Sequence, residues 1–290
     1  YKAGNIDNVL ESLNPDDIES ISVLKDAAST AIYGSKAANG VIVVETVQPE
    51  AGKLRLSYNG NYGIQFADLS AYNLMNASEK LEFERLTGLY GDLESYSNIA
   101  NTEKYNRRLA EVKRGVDTYW LSKPLRTGVG HKHSLNFEGG DDFIRYNINV
   151  SYNNVAGVMK GSDRETFGGG FTFSYRYKSL LFREQLSLLH NKADNSPYGS
   201  FSDYSKLNPY WRTRNEDGTI REVLNPIEVE NSYDPVYNPL INKSLNTIDE
   251  SKYTDITNNF YIEWSAFDDL KVTGRLGFTS RTDESDVFYP

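Results

Sequence analysis

The sequence predicts an antiparallel β-sheet of about seven long strands behind a short N-terminal α/β element. Side-chain character alternates with period two in run after run from Lys53 onward, as it does when a strand has one apolar and one polar face. The links between these runs alternate short and long. No stretch reaches the ~20 apolar residues of a membrane-spanning helix, and the mean hydropathy is −0.57. A two-sheet sandwich and a membrane barrel both satisfy this pattern.

The α/β element lies within residues 14–47. Asn14 is placed to cap a helical turn, with Pro15 at its first position and Asp16 and Asp17 beside the partly positive amide end. Ile21, Val23 and Leu24 make a short apolar strand ending at Lys25. Asp26 caps a second helix, Ala27 to Tyr33, which Gly34 closes because glycine alone takes positive φ cheaply. Gly40 leads into the β-branched run Val41 to Thr46, which reads as a buried strand.

This order, worded NPDDIESISVLKDAASTAIYGSKAANGVIVV from Asn14 to Val44, resembles the plug of TonB-dependent outer-membrane receptors of the SusC/RagA branch. The resemblance implies a membrane β-barrel, antiparallel and 22-stranded in the full-length family, with an N-terminal α/β plug. Only about seven strands are present, so the barrel is expected to be incomplete. Residues 1–48 would be the C-terminal part of the plug and 49–290 the N-terminal portion of the barrel.

Composition agrees with a barrel. Tyrosine supplies 21 of 290 residues and aromatics 13%, as expected where aromatic girdles mark both bilayer interfaces. With no cysteine there is neither a disulfide framework nor a thiolate metal site. The net charge of −9 argues against a nucleic-acid partner.

The strands follow in order. Leu54, Leu56, Tyr58, Tyr62, Ile64 and Phe66 share one face, against Arg55, Ser57, Asn59, Asn61 and Gln65 on the other. The same split recurs at Tyr146 to Asn153 and at Phe171 to Lys178; Leu180 to His190 is less regular, interrupted by Glu184. Phe260 to Ala266 and Leu270 to Phe278 supply two more. Each is near the ~9 to 11 residues a tilted strand needs to cross a bilayer. Tight links at Gly140-Asp141, Lys178-Ser179 and Asp268-Asp269 alternate with longer ones at 67–130, 155–165 and 191–251. Barrels of this kind have short periplasmic turns and long extracellular loops, so the long links are expected together on the outside.

Within 67–130, Asn76 and Glu79 form a capping-box pattern ahead of Leu81, Leu86 and Leu89, with Gly91 as a stop. Thr102 to Arg114 reads as a second helix with Tyr105, Leu109 and Val112 on one face. The 191–251 link carries Tyr198, Tyr204, Tyr210, Trp211, Tyr233 and Tyr237 among Asn and Asp residues. Exposed rings beside amides and carboxylates suit sugars, which makes these six the candidate ligand or partner contacts; packing of the loop on itself is the alternative.

No catalytic set emerges, so no enzyme activity is expected. His131 and His133 face the same way on a strand, but H-x-H alone is weak evidence for a metal, and amphipathic rings also suit a membrane interface. The pairs Asp141-Asp142 and Asp268-Asp269 fall at tight turns, where Asp serves local hydrogen bonds. Gly168 to Gly170 lacks the lysine and helix of a phosphate loop and marks a strand bend instead. Neither metal nor cofactor is implied.

The family resemblance implies a multi-pass protein of the Gram-negative outer membrane, in contact with its lipid, that takes up oligosaccharides or peptides. Its implied partners are a SusD-like surface lipoprotein and TonB, the latter through a segment expected upstream of Tyr1. A siderophore or cobalamin receptor, and a surface adhesion protein without transport, are the competing expectations.

Overall fold

A computed structural model describes residues 18–26, 39–46, 48–226, 234–267 and 269–288. Asn14, Pro15, Tyr33, Gly34, both expected plug helices, Asp268 and Tyr233 lie outside the described residues. Strand β1, Ile18–Leu24, pairs antiparallel with β2, Val41–Thr46. Gly40 enters β2 at φ +102, and a Cβ there would sit 3.0 Å from the Leu24 carbonyl oxygen. Lys25 and Asp26 are exposed just past β1. The expectation of a buried β2 is corrected: Ile42 and Glu45 are exposed, because among the described residues this hairpin packs by one face only.

Seven strands form one open antiparallel sheet in chain order: β3 Gly52–Gln65, β4 Gly128–Gly140, β5 Ile144–Ala156, β6 Asp163–Tyr177, β7 Leu180–Asp194, β8 Ile248–Phe267 and β9 Leu270–Phe288. They are longer than a bilayer crossing requires, because the ladders run on into polar sequence such as Asn191 to Asp194, paired with Tyr253 to Glu250. The long links shrink accordingly, to 66–127, 157–162 and 195–247. Gly168 to Gly170 does not bend β6; the Asn149 side chain occupies the space a Cβ on Gly170 would need.

The register stacks side chains into rows across the sheet. At one end Tyr177, Leu180, Trp264 and Val272 lie directly opposite one another. Ten residues later along β7, the row is His133, Tyr152, Phe167, His190 and Thr254. Between them this face is apolar, with rows such as Leu56, Phe137, Ile148, Phe171, Leu186. Glu184 is the one charge in that band among the described residues, and it accepts a hydrogen bond from neighbouring Asn258. Ten residues at ~3.3 Å each, tilted by about 40°, span on the order of 25 Å, the height of an outer-membrane apolar band. Beyond the upper aromatic row come Glu165, Lys192, Lys252 and Glu284, then Asp163, Asp194, Glu250 and Asp286.

The apolar side chains are the exposed ones, Leu56 at 62% and Leu276 at 70%. The other face carries buried Asn147, Asn149, Ser151, Thr172, Asn191 and Asp255. This is the reverse of a water-soluble sandwich, whose apolar faces meet in a core.

Candidate functional site

Two regions of the molecule can handle a ligand: the polar face of the sheet with the hairpin set against it, and the cap built by the long links. Glu19 of β1 and Val43, Val44 and Glu45 of β2 border a cavity of about 710 Å³, whose opposite side includes Arg183, Gln185, Tyr261 and Arg275. Those four alternate along β7, β8 and β9 on the polar face. The Arg183 and Arg275 guanidinium groups lie 5.7 and 5.3 Å from the Tyr261 ring, whose hydroxyl donates to Glu263 at 2.7 Å. The β1–β2 hairpin therefore faces the wall across a wide space of mixed lining, with Val43, Val44, Phe260 and Leu276 among the polar and charged groups.

The cap assembles at the opposite end of the strands from the tight turns. Helix α1, Ala77–Leu86, begins with the expected capping box: Asn76 accepts from the Glu79 amide at 2.8 Å, and Glu79 accepts from the Asn76 amide at 3.0 Å. It ends earlier than Gly91, through Thr87 and Gly88, the latter at φ +76. Helix α2, Ile99–Lys113, turns Tyr105, Leu109 and Val112 to the cap core. That core joins Leu81, Tyr90, Trp120 and Leu121 from the first link with Tyr204, Tyr210, Trp211 and Leu224 from the third. Trp120 Nε1 donates to the Asn208 carbonyl at 2.8 Å, and Thr118 Oγ1 to the Trp211 carbonyl at 2.7 Å. The 157–162 link joins through the Lys160 amide, which donates to the Pro124 carbonyl at 2.8 Å.

At the centre of the cap is a buried ion pair that reading the sequence missed. Arg108 donates to Glu84 at 3.2 Å and to the Tyr90 hydroxyl at 2.8 Å. Tyr90 and Tyr210 donate to the same carboxylate at 2.6 and 3.0 Å. Burial raises the Tyr90 and Tyr210 phenols well above their ordinary range, and does the same to Tyr204. The signal was present: Glu84 falls three residues after buried Leu81, and Arg108 three after Tyr105 and four before Val112, so both charges sit on apolar helical stripes.

The five candidate aromatics among the described residues separate. Tyr204, Tyr210 and Trp211 are 0%, 1% and 8% exposed and carry the cap core, which corrects the expectation that they present ring faces to a ligand. Tyr198 packs half-buried against them, and Tyr237 is exposed. His131 and His133 stand with Tyr58, Tyr62 and Tyr152 in the upper aromatic rows of the apolar face, where Tyr58 Oη and His133 Nδ1 are 2.6 Å apart. Asp141 accepts from the Phe143 and Ile144 amides at 2.8 Å each, a turn role.

Residues 2–41 match the TonB-dependent Receptor Plug Domain family. The chain is similar to TonB-dependent receptor P3 of Formosa agariphila, 28% identical over 95% of this chain and 26% of that protein. It is also similar to TonB-dependent receptor SusC of Bacteroides thetaiotaomicron, 32% identical over 55% of this chain and 14% of SusC. It thus spans about a quarter or less of these relatives' length. Among solved structures, the RagAB peptide importer in its closed-closed state superposes with a TM-score of 0.76 at 21% identity, covering 96% of this chain and 34% of that one. With a sequence that matches a TonB-dependent receptor plug ahead of an open seven-stranded sheet whose apolar face is exposed, the chain is similar to SusC/RagA-like TonB-dependent receptors in its plug and in a partial barrel wall.

Proposed function

We propose that the receptor to which this chain belongs imports oligosaccharides or peptides across the outer membrane, driven by TonB and working with a SusD-like surface lipoprotein. Residues 1–48 belong to the plug and 49–290 to the barrel wall on this reading. The observation that carries it is the inverted sheet: an apolar band about 25 Å tall on one face, and on the other a polar wall that holds the plug hairpin. Because a cavity of about 710 Å³ lies between hairpin and wall, moving the plug rearranges a loosely packed boundary of mixed lining rather than a packed apolar core. Such a boundary can have two arrangements of similar free energy, as a gated lumen needs. The cap, with Tyr237 exposed on the 195–247 link, is the first surface a ligand meets. The step is conformational, and no bond is made or broken.

The test deletes the full-length gene in its source strain and follows uptake of labelled oligosaccharides and peptides, alongside a TonB-deficient strain. Loss of uptake of one ligand class in both strains, with monosaccharide uptake intact, is the expected result. Retained uptake in both, with only surface capture reduced, identifies an adhesion protein and overturns the proposal.

A further inference from the structure

We infer that the middle of the polar sheet face is a track for neutral sugar residues, and hence that the imported ligand is an uncharged oligosaccharide; this deepens the uptake reading and rests on it. On that face the register lines up Ser57, Asn136, Asn149, Gly170, Ser187 and Thr257 from β3 to β8, an unbroken row without charge. The rows immediately above and below, through Asn59 and Arg55, are also mainly amide, hydroxyl and glycine. Their charged members are Arg55, Glu138, Asp255 and Arg281, which meet in pairs, Arg55 with Glu138 at 3.1 Å and Arg281 with Asp255 at 3.3 Å. Arg183 and Arg275 lie one row lower still, beside the plug hairpin. Three rows over seven strands cover on the order of 13 Å by 29 Å, room for several sugar rings.

The polar groups of these rows are available. Asn147, Ser151 and Thr172 are 6%, 8% and 9% exposed, yet their side chains make no hydrogen bond among the described residues. None of their side-chain oxygens or nitrogens is sealed from solvent, so each still reaches the lumen. Asn136 and Ser187, less buried, are unbonded in the same way among the described residues. Buried hydroxyls and amides normally have a partner, and here the space that can supply one is the lumen. A sugar hydroxyl both donates and accepts, as do the side chains of Ser, Thr and Asn. A charged peptide or a uronate chain would instead lose water from its charges beside rows that offer no free counter-charge. Many weak, similar contacts also let a ligand move on, as passage through a pore requires.

The test follows uptake of labelled hexamers by cells carrying the full-length receptor or lacking it. The probes are neutral glucan, xylan, mannan and galactan fragments, a galacturonate fragment, and peptides with and without charged side chains. We expect at least one neutral sugar to need the receptor, and the galacturonate and charged peptides to gain nothing from it. The double variant Asn136→Leu, Ser187→Val should slow neutral uptake about tenfold, as the loss of two hydrogen bonds does, with the heat-modifiable folded fraction unchanged. Ser187→Lys should admit the galacturonate fragment, because the row then holds a counter-charge. Receptor-dependent uptake confined to peptides or to the acidic sugar overturns the neutral track while leaving the importer standing. Neutral uptake untouched by the double variant, with galacturonate still refused by Ser187→Lys, overturns it as well. Uptake of every probe without the receptor overturns the importer reading itself, and the track with it.

Discussion

Tyr210 donates its hydroxyl to both oxygens of Glu84, at 3.0 and 3.2 Å, across 126 residues of sequence. That contact ties helix α1 to the third link and makes the cap one unit rather than separate loops. Removing one partner of a buried ion pair leaves the other charge desolvated, at a cost of about 3–5 kcal/mol. Glu84→Gln is therefore expected to loosen the cap severely through Arg108, and Tyr210→Phe by a smaller ~1–3 kcal/mol. Hydrogen exchange of the intact receptor should show α1 and α2 losing protection while β5 and β6 keep theirs.

The same contact fixes a pH dependence. Burial raises the Tyr210 phenol above the ordinary ~10 of tyrosine. A group with a raised folded-state value contributes stability that is fully present below the unfolded value and is lost as pH rises through the folded one. Cap protection should therefore hold at neutral pH and fall only above about pH 10. Tyr210→Phe should flatten part of that alkaline loss; a profile identical to the parent protein would show that Tyr210 does not carry it.

How far the sequence disclosed these features depends on how local their causes are. The α1 capping box was legible from Asn76 and Glu79 because a cap is closed within four residues. The faces of β3, β5, β6, β8 and β9 were legible because period two survives whatever surrounds the strand. Tyr204, Tyr210 and Trp211 were misread because a ring among Asn and Asp looks the same on a ligand shelf and in a core. What decides is a partner far along the chain, as when Trp120 meets Asn208. The polar strand ends at Asn191 to Asp194 read as loop because ladder hydrogen bonds need no apolar side chains.

Gly140 makes a separate demand. It takes φ +135, and a Cβ there would lie 2.0 Å from the Ile144 carbonyl oxygen. Gly140→Ala must open the β4–β5 turn, where Asp141 already holds two amides. We expect a loss of about 1–3 kcal/mol, read as a lower urea midpoint for folding of the full receptor into liposomes. Asp142→Ala, beside it and without a comparable backbone constraint, is expected to change that midpoint little.

Charge placed on the two faces of β7 should have unequal effects. Leu186 lies in the middle of the apolar band and Ser187 on the polar face. A cationic side chain facing lipid near the midplane costs roughly 2–4 kcal/mol, whereas one facing the lumen is tolerated. Leu186→Lys should thus sharply reduce the heat-modifiable folded fraction on a gel, and Ser187→Lys should not. Equal losses would mean that neither face is committed to lipid.

The most direct measurement is the solvent each face of β7 meets in the intact receptor in its membrane. Single-cysteine variants at positions 182 to 189, spin-labelled one at a time, would be scored for collisions with oxygen, which partitions into lipid, and with a water-soluble nickel chelate. Strict alternation is expected, with Phe182, Leu186 and Leu188 in lipid and Arg183, Gln185, Ser187 and Leu189 shielded from it. Nickel access at Leu186 and Leu188 equal to that of an exposed loop residue would contradict the barrel wall, and with it the importer.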